Sequence, residues 1–209
     1  MEFSQKVIII TGHYGAGKTN LAVNLALGLA ESGKSVTIAE LDIVNPYFRS
    51  VDFAELFRQR GIRLAASDYA GANKSLDIPA LSLNVKGEAE SADYLIIDVG
   101  GDKEGARALA RFALDIRQIG YEMVCVINKY RHLTPAAEQA VDIMRQIEAV
   151  SGLECTAVFN NSHLCDETTE AVIAVSVPFA EEVSSLTGLP LMEMPVEVYV
   201  KPIWEEKNR

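Results

Sequence analysis

The sequence predicts an α/β fold: one three-layer, doubly wound, mainly parallel sheet in a single domain over residues 1–209. Three observations predict it. Short β-branched apolar runs recur, as at Val7-Ile8-Ile9-Ile10 and Tyr94-Leu95-Ile96-Ile97, and read as buried parallel strands. Segments with helical apolar spacing separate them, as at Leu21, Leu25 and Leu29. Between the first strand and the first helix lies Gly12-His13-Tyr14-Gly15-Ala16-Gly17-Lys18-Thr19, which fits G-x-x-x-x-G-K-[ST] at every fixed position. Strands alternating with helices throughout, without repeat or linker, call for one parallel sheet with helices on both faces.

The elements follow in order. Lys6 to Thr11 is the first strand, and Thr19 to Ser32 is a helix stopped by Gly33. Ser35 to Asp42 is the second strand, and Pro46 forbids its simple continuation. Val51 to Arg60 reads as helix and ends at Gly61; Arg63 to Ala66 is a candidate short strand. Gly61 to Ser91 is otherwise poorly patterned, with no clean period from Ala80 to Glu90. Tyr94 to Val99 is an apolar strand interrupted only by Asp98, and Glu104 to Gln118 is one helix. Glu122 to Ile127 is a strand. Thr134-Pro135 opens the next helix, Thr as cap and Pro at the first helical position, and Gly152 closes it. Cys155 to Phe159 is a strand running into Asn160-Asn161-Ser162-His163. Thr168 to Val177 fits either strand or helix; β-branching favours strand, spacing and length favour helix, and helix is the reading taken. Pro178 breaks it, Ala180 to Thr187 forms a further helix, and Leu191 to Val200 is a last extended segment.

Composition narrows the function. Apolar residues make up 49% and charged residues 23%, as in an ordinary soluble domain. No apolar run reaches the ~18 residues of a membrane span, and Met1 to Lys6 leaves no room for a signal peptide. The charged tail from Trp204 to Arg209 is too short and polar for a membrane anchor. A net charge of −10 and a pI near 4.8 argue against non-specific nucleic-acid binding. Cys125, Cys155 and Cys165 form no C-x-x-C pair, which fits free thiols in a reducing cytoplasm better than a metal cluster shared across a dimer.

The glycine loop carries the chemistry. Glycines let backbone N–H groups turn inward around phosphate oxygens, and the following helix N-terminus adds partial positive charge. Lys18 reaches toward the β- and γ-phosphates, and the Thr19 hydroxyl is a Mg²⁺ ligand. Asp98, at the end of an apolar strand, has the form of the second, metal-holding carboxylate. Gly101 follows three residues later, where a bare backbone N–H can approach a γ-phosphate. Asp42, at another strand end, lies where parallel sheets bind ligands.

The stretch Thr11 to Ala26 resembles the start of the MinD/ParA family of P-loop ATPases (the CobQ/CobB/MinD/ParA nucleotide-binding domain), with its G-K-G-G-x-G-K-[ST]-T loop and L-A-x-N-L-A helix. Glu40 and Asp42 resemble that family's D-x-D-like pair, and Asp98-Val99-Gly100-Gly101 its second carboxylate and switch segment. The resemblance covers Val7 to Gly105 well and Glu122 to Leu191 loosely. It implies nucleotide contacts from Gly12, His13, Tyr14, Gly15, Ala16, Gly17, Lys18, Thr19, Asn20 and Gly101. It implies Mg²⁺ at Thr19, Asp42 and Asp98, with Lys18 and Asp42 as the catalytic pair, Asp42 orienting the attacking water or helping to hold the metal. It implies base contacts from Asn160 and from a loop around Pro178 and Phe179, although Asn160 also suits a plain turn cap. Asn128-Lys129 begins like an N-K-x-D guanine motif, but one strand too early and with Arg131 in place of Asp. Asn160-Asn161-Ser162-His163 also lacks that Asp, which favours adenine.

One position departs from the family. Its signature lysine, which reaches across a dimer to the partner's phosphates, is His13 here. His13 either donates a hydrogen bond or only shapes the loop. The expectation is a cytoplasmic, Mg²⁺-dependent, slow ATPase: an ATP/ADP-driven switch for an unidentified protein client in metal insertion, enzyme activation or positioning. It is a monomer or a weak ATP-dependent homodimer, with no nucleic acid or membrane partner. The competing reading is an ATP-dependent phosphotransferase or ligase whose small substrate meets Arg49, Lys74 and the 61–91 stretch. A binding module without turnover is the third; the presence of Lys18, Thr19, Asp42 and Asp98 counts against it.

Overall fold

A computed structural model of the chain describes residues 3–41, 50–65, 83–164 and 167–192. Its six strands are β1 (Val7–Gly12), β2 (Val36–Leu41), β3 (Arg63–Ala65), β4 (Tyr94–Val99), β5 (Tyr121–Ile127) and β6 (Ala157–Asn160). They form one sheet in the order β3-β2-β4-β1-β5-β6, and every pairing is parallel. Strand alternation sends Ile8, Ile10, Ile38 and Ile96 to one face and Val7, Ile9, Leu95 and Ile97 to the other. Burial on both faces is why these strands read as continuous apolar runs.

Two helices, α1 (Lys18–Glu31) and α2 (Ala54–Gln59), cover the first face through Leu21, Leu25, Leu29 and Phe57. Five cover the second: α3 (Val85–Ser91), α4 (Lys103–Ala110), α5 (Ala113–Ile119), α6 (Ala137–Ser151) and α7 (Glu170–Thr187). The chain therefore leaves β1 toward one face and leaves its neighbours β4 and β5 toward the other. Such a reversal opens a crevice at the carboxyl ends of the strands, where doubly wound folds bind ligands. The glycine loop stands at that point.

Several boundaries differ from the sequence expectation, each for a local reason. Pro178 does not break a helix but sits inside α7, so the expected loop at Pro178 and Phe179 is helical. Proline deprives the carbonyl four residues back of its donor. Here that residue, Ala174, is exposed like Pro178 itself, so water can satisfy the carbonyl. Thr134 does not cap α6; its buried hydroxyl donates instead to Asn128 O (3.0 Å). The helix starts three residues later, with Ala136 N donating to Gln139 Oε1. The expected Glu104–Gln118 helix is split into α4 and α5, where Phe112 N bonds to Leu109 O in a tightened last turn. The unpatterned stretch contains α3, capped by Asn84, whose Oδ1 accepts from Gly87 N. Leu191 makes a single parallel bridge to Val158, and Met192 N donates to Val158 O (2.8 Å); residues 193–200 of the expected last extended segment lie outside the described residues. Cys125 and Cys155 are free and buried, and Cys165 lies outside the described residues. Among the described residues, no helix is long and apolar enough to cross a membrane.

Candidate functional site

The glycine loop runs from the last residue of β1 to the cap of α1. Gly12 has φ +136°, and a Cβ there would lie 2.2 Å from Val126 O on β5. Gly17, the N-cap of α1, has φ +92°, and a Cβ there would lie 2.0 Å from Asn161 Nδ2. Both positions require glycine on conformation and on space. The loop folds back on itself through Ala16 N to His13 O (3.1 Å). Tyr14 is 58% exposed at its tip, while Ala16 is fully buried. Asn20 lies in the first turn of α1, where its carbonyl accepts from Asn24 Nδ2 at 3.0 Å.

Lys18 is buried, and its Nζ donates to His13 O (3.2 Å), so the ammonium curls into the loop's mouth. Gly101, after β4, closes the other side. A Cβ there would lie 2.6 Å from both Lys18 Nζ and Tyr14 N, so only a glycine lets the β4 loop approach this closely.

Sheet register then places the carboxylates. Asp98 lies between Ile10 on β1 and Glu40 on β2, on the face that carries α1. It is 1% exposed. The Thr19 hydroxyl hydrogen-bonds to it, and Ser50 Oγ donates to its Oδ2 (2.9 Å). Its Oδ1 is buried without a hydrogen-bond partner among the described residues. Burial pushes the Asp98 carboxyl up to about 6; Thr19, Lys18 and Ser50 oppose that shift, and Glu40 adds to it. Glu40 in turn accepts from Val51 N at 3.0 Å. Lys18, Thr19 and Asp98, named separately from the sequence, thus meet in one place.

The fold is that of a P-loop NTPase. FtsY from Mycoplasma mycoides superposes with a TM-score of 0.61 at 18% identity, over 95% of this chain and 66% of that one. Chloroplast FtsY from Physcomitrella patens gives 0.59 at 17% identity, over 96% and 65%. The 54 kDa signal recognition particle protein from Aeropyrum pernix, in complex with GDP, gives 0.55 at 17% identity, over 91% and 41%. The chain thus spans two thirds or less of the length of these proteins. No family model matches the chain, and no curated protein matches it in sequence.

The second half of the crevice is built by the loop after β6. Asn161 Nδ2 donates to Ala16 O (2.7 Å), tying that loop to the glycine loop. Sequence reasoning passed over Asn161, because its role is a contact across 145 residues of chain. Asn160 is occupied twice over: its Nδ2 donates to Ser176 Oγ (2.9 Å) and its Oδ1 accepts from Ser162 N (3.2 Å). It caps the turn and fastens α7. Phe179 is 3% exposed, packed in the core under Lys129 Nζ, which lies 5.5 Å from its ring centroid. With Pro178 it is part of a helix, so covering a base would need that turn of α7 to move.

The histidines contribute differently. His13 is 7% exposed, and neither ring nitrogen has a hydrogen-bond partner among the described residues. Burial first, then the positive charges of Lys18, His132 and Arg131, hold its imidazole down at about 4, so it is neutral at pH 7. His163 Nε2 lies 3.6 Å from where a Gly17 Cβ would be, and burial and Arg131 lower its pKa too. Asp42, Arg49 and Lys74 lie outside the described residues.

Proposed function

We propose that the chain binds ATP with Mg²⁺ and hydrolyses it slowly, as a nucleotide-driven switch for a protein client. One observation carries the reading. Lys18, Thr19 and Asp98 converge beside the glycine loop, whose Gly12 and Gly17, together with Gly101 after β4, let neighbouring segments approach more closely than any Cβ would allow. The loop's backbone N–H groups and Lys18 hold the polyphosphate, and the α1 N-terminus adds its dipole.

The residues fit Mg²⁺. The donors are hard oxygens: the Thr19 hydroxyl and the Asp98 carboxylate, whose buried Oδ1 lacks a partner among the described residues. When bound, the ion neutralises charge on the β- and γ-oxygens. Among the described residues no three His, Cys, Asp or Glu side chains group as a metal cage, which suits an ion completed by phosphate and water. Asp42 follows Leu41, the last residue of β2, which pairs with Val99 at the end of β4. A role for Asp42 in positioning water rests on the resemblance of Glu40 and Asp42 to the family's D-x-D-like pair.

Adenine is the proposed base because the Asn160 to His163 segment has no carboxylate to pair with a guanine amino group. The fold does not favour either base, and two of the neighbouring structures hold GDP. A phosphotransferase or ligase on the same fold is the rival reading, and turnover separates the two: a switch hydrolyses ATP alone, whereas the rival stays nearly idle until a small acceptor is added.

Calorimetric titration with Mg·ATP and Mg·GTP is the test. ATP binds more tightly, and Lys18→Ala abolishes binding. Asp42→Ala keeps ATP affinity within about tenfold while turnover falls by about 10²-fold. Equal affinity for GTP removes the adenine assignment; no binding of either nucleotide removes the whole reading.

A further inference from the structure

We propose that Arg131, on the loop after β5, is a second polyphosphate-binding cation of this site, supplied from within the chain. The proposal deepens the nucleotide reading and rests on it for the identity of the ligand.

Arg131 lies against the glycine loop. The place of a Gly15 Cβ is 3.6 Å from Arg131 Nε and 3.8 Å from both Cδ and Cζ. Gly15, at φ +75°, thus leaves the guanidinium next to bare loop backbone.

The loop that carries it is held in place before any ligand arrives. Arg131 N bonds to Asn128 O (3.3 Å) and Thr134 N to Arg131 O (3.0 Å). Asn128 Oδ1 accepts from Tyr130 N (2.9 Å), and Thr134 Oγ1 donates to Asn128 O. Lys129 N donates to Ser162 Oγ (2.9 Å), joining this loop to the one after β6. The hydroxyl of Tyr130 donates to Val172 O on α7.

The charge has no carboxylate. Arg58, Arg60, Arg63, Arg107 and Arg145 pair with Glu55, Glu31, Glu88, Glu104 and Glu148. Arg131, like Arg111 and Arg117, makes no such pair among the described residues, in a chain of net charge −10. Its Nε is buried without an acceptor among them. Leaving a buried donor unsatisfied is costly, more so when it is charged, so its retention here calls for an occasional acceptor. An oxyanion cradled by the loop is that acceptor, drawn by the positive charge through a charge-assisted hydrogen bond. With Lys18 also at the loop, a polyphosphate is held by two cations. His13, neutral and short, does not need to supply this charge.

The alternative is a prop: Arg131 only packs against Gly15. Calorimetry separates the two, using inorganic tripolyphosphate and Mg·ATP as probes on the parent, Arg131→Gln and Arg131→Lys. Thermal melts without ligand check that each variant folds. Arg131→Gln weakens both probes by about tenfold or more, and Arg131→Lys recovers most of the loss because charge is what matters. Equal loss in Gln and Lys, or no loss in Gln, overturns the proposal. Tripolyphosphate binding that depends on Arg131, in a parent that binds no nucleotide, overturns the nucleotide reading and leaves Arg131 standing. A parent that binds neither probe overturns both.

Discussion

Asn161 Nδ2 lies 2.7 Å from Ala16 O, so the loop after β6 is bonded directly to the glycine loop. The bond is buried and spans 145 residues of chain. Its loss leaves a buried carbonyl unsatisfied and frees Gly17, which packs under the same amide. Asn161→Ala is expected to cost about 1–3 kcal/mol in urea unfolding and to weaken Mg·ATP binding several-fold. A variant as stable as the parent would show that the carbonyl finds another donor.

Two glycine substitutions should have opposite outcomes. Gly101→Ala places a methyl 2.6 Å from Tyr14 N, which is backbone and cannot swing aside. Nucleotide-induced thermal stabilisation should be lost. Gly28, inside α1, faces open space: a methyl added there meets nothing within 4 Å. Gly28→Ala should therefore gain about 0.5–1 kcal/mol from helix propensity and keep binding. Differential scanning calorimetry with and without Mg·ATP reads both.

Asp98 should oppose stability in the ligand-free chain at neutral pH. Its folded pKa is raised to about 6, so its contribution is fully present below about pH 4 and lost as pH rises through 6. Asp98→Asn should therefore be more stable than the parent above pH 6, by up to about 3 kcal/mol, and should lose the Mg²⁺ dependence of nucleotide binding. Urea unfolding from pH 4 to 8, without metal, measures the first. An Asn variant that tracks the parent at every pH would contradict it.

His13 has the opposite sign. Its folded pKa is lowered to about 4, so its contribution is present above about pH 6.5 and lost as pH falls through 4. The parent's stability advantage over His13→Gln should shrink by roughly 3 kcal/mol between pH 6.5 and pH 4. Imidazole resonances followed by NMR across that range should show the His13 ring still neutral at pH 5.

Local chemistry was enough, from the sequence alone, for the α/β class, for most strands and for the glycine loop. Runs such as Val7 to Ile10 are apolar at every position because both faces of the sheet are covered, and the positive φ of Gly12 and Gly17 is a short-range need of the backbone. Tertiary structure alone decided the rest. Only sheet order puts β4 beside β1, and with it Asp98 beside Thr19 and Ser50, which are distant from it along the chain. Thr134 looks like a helix cap until its hydroxyl is taken by Asn128 O, and Pro178 looks like a breaker until solvent covers the carbonyl it orphans. Asn161 and Arg131 carry no motif of their own. They matter because long-range packing sets one on Ala16 and the other on Gly15, and no local pattern records which distant backbone a side chain will meet.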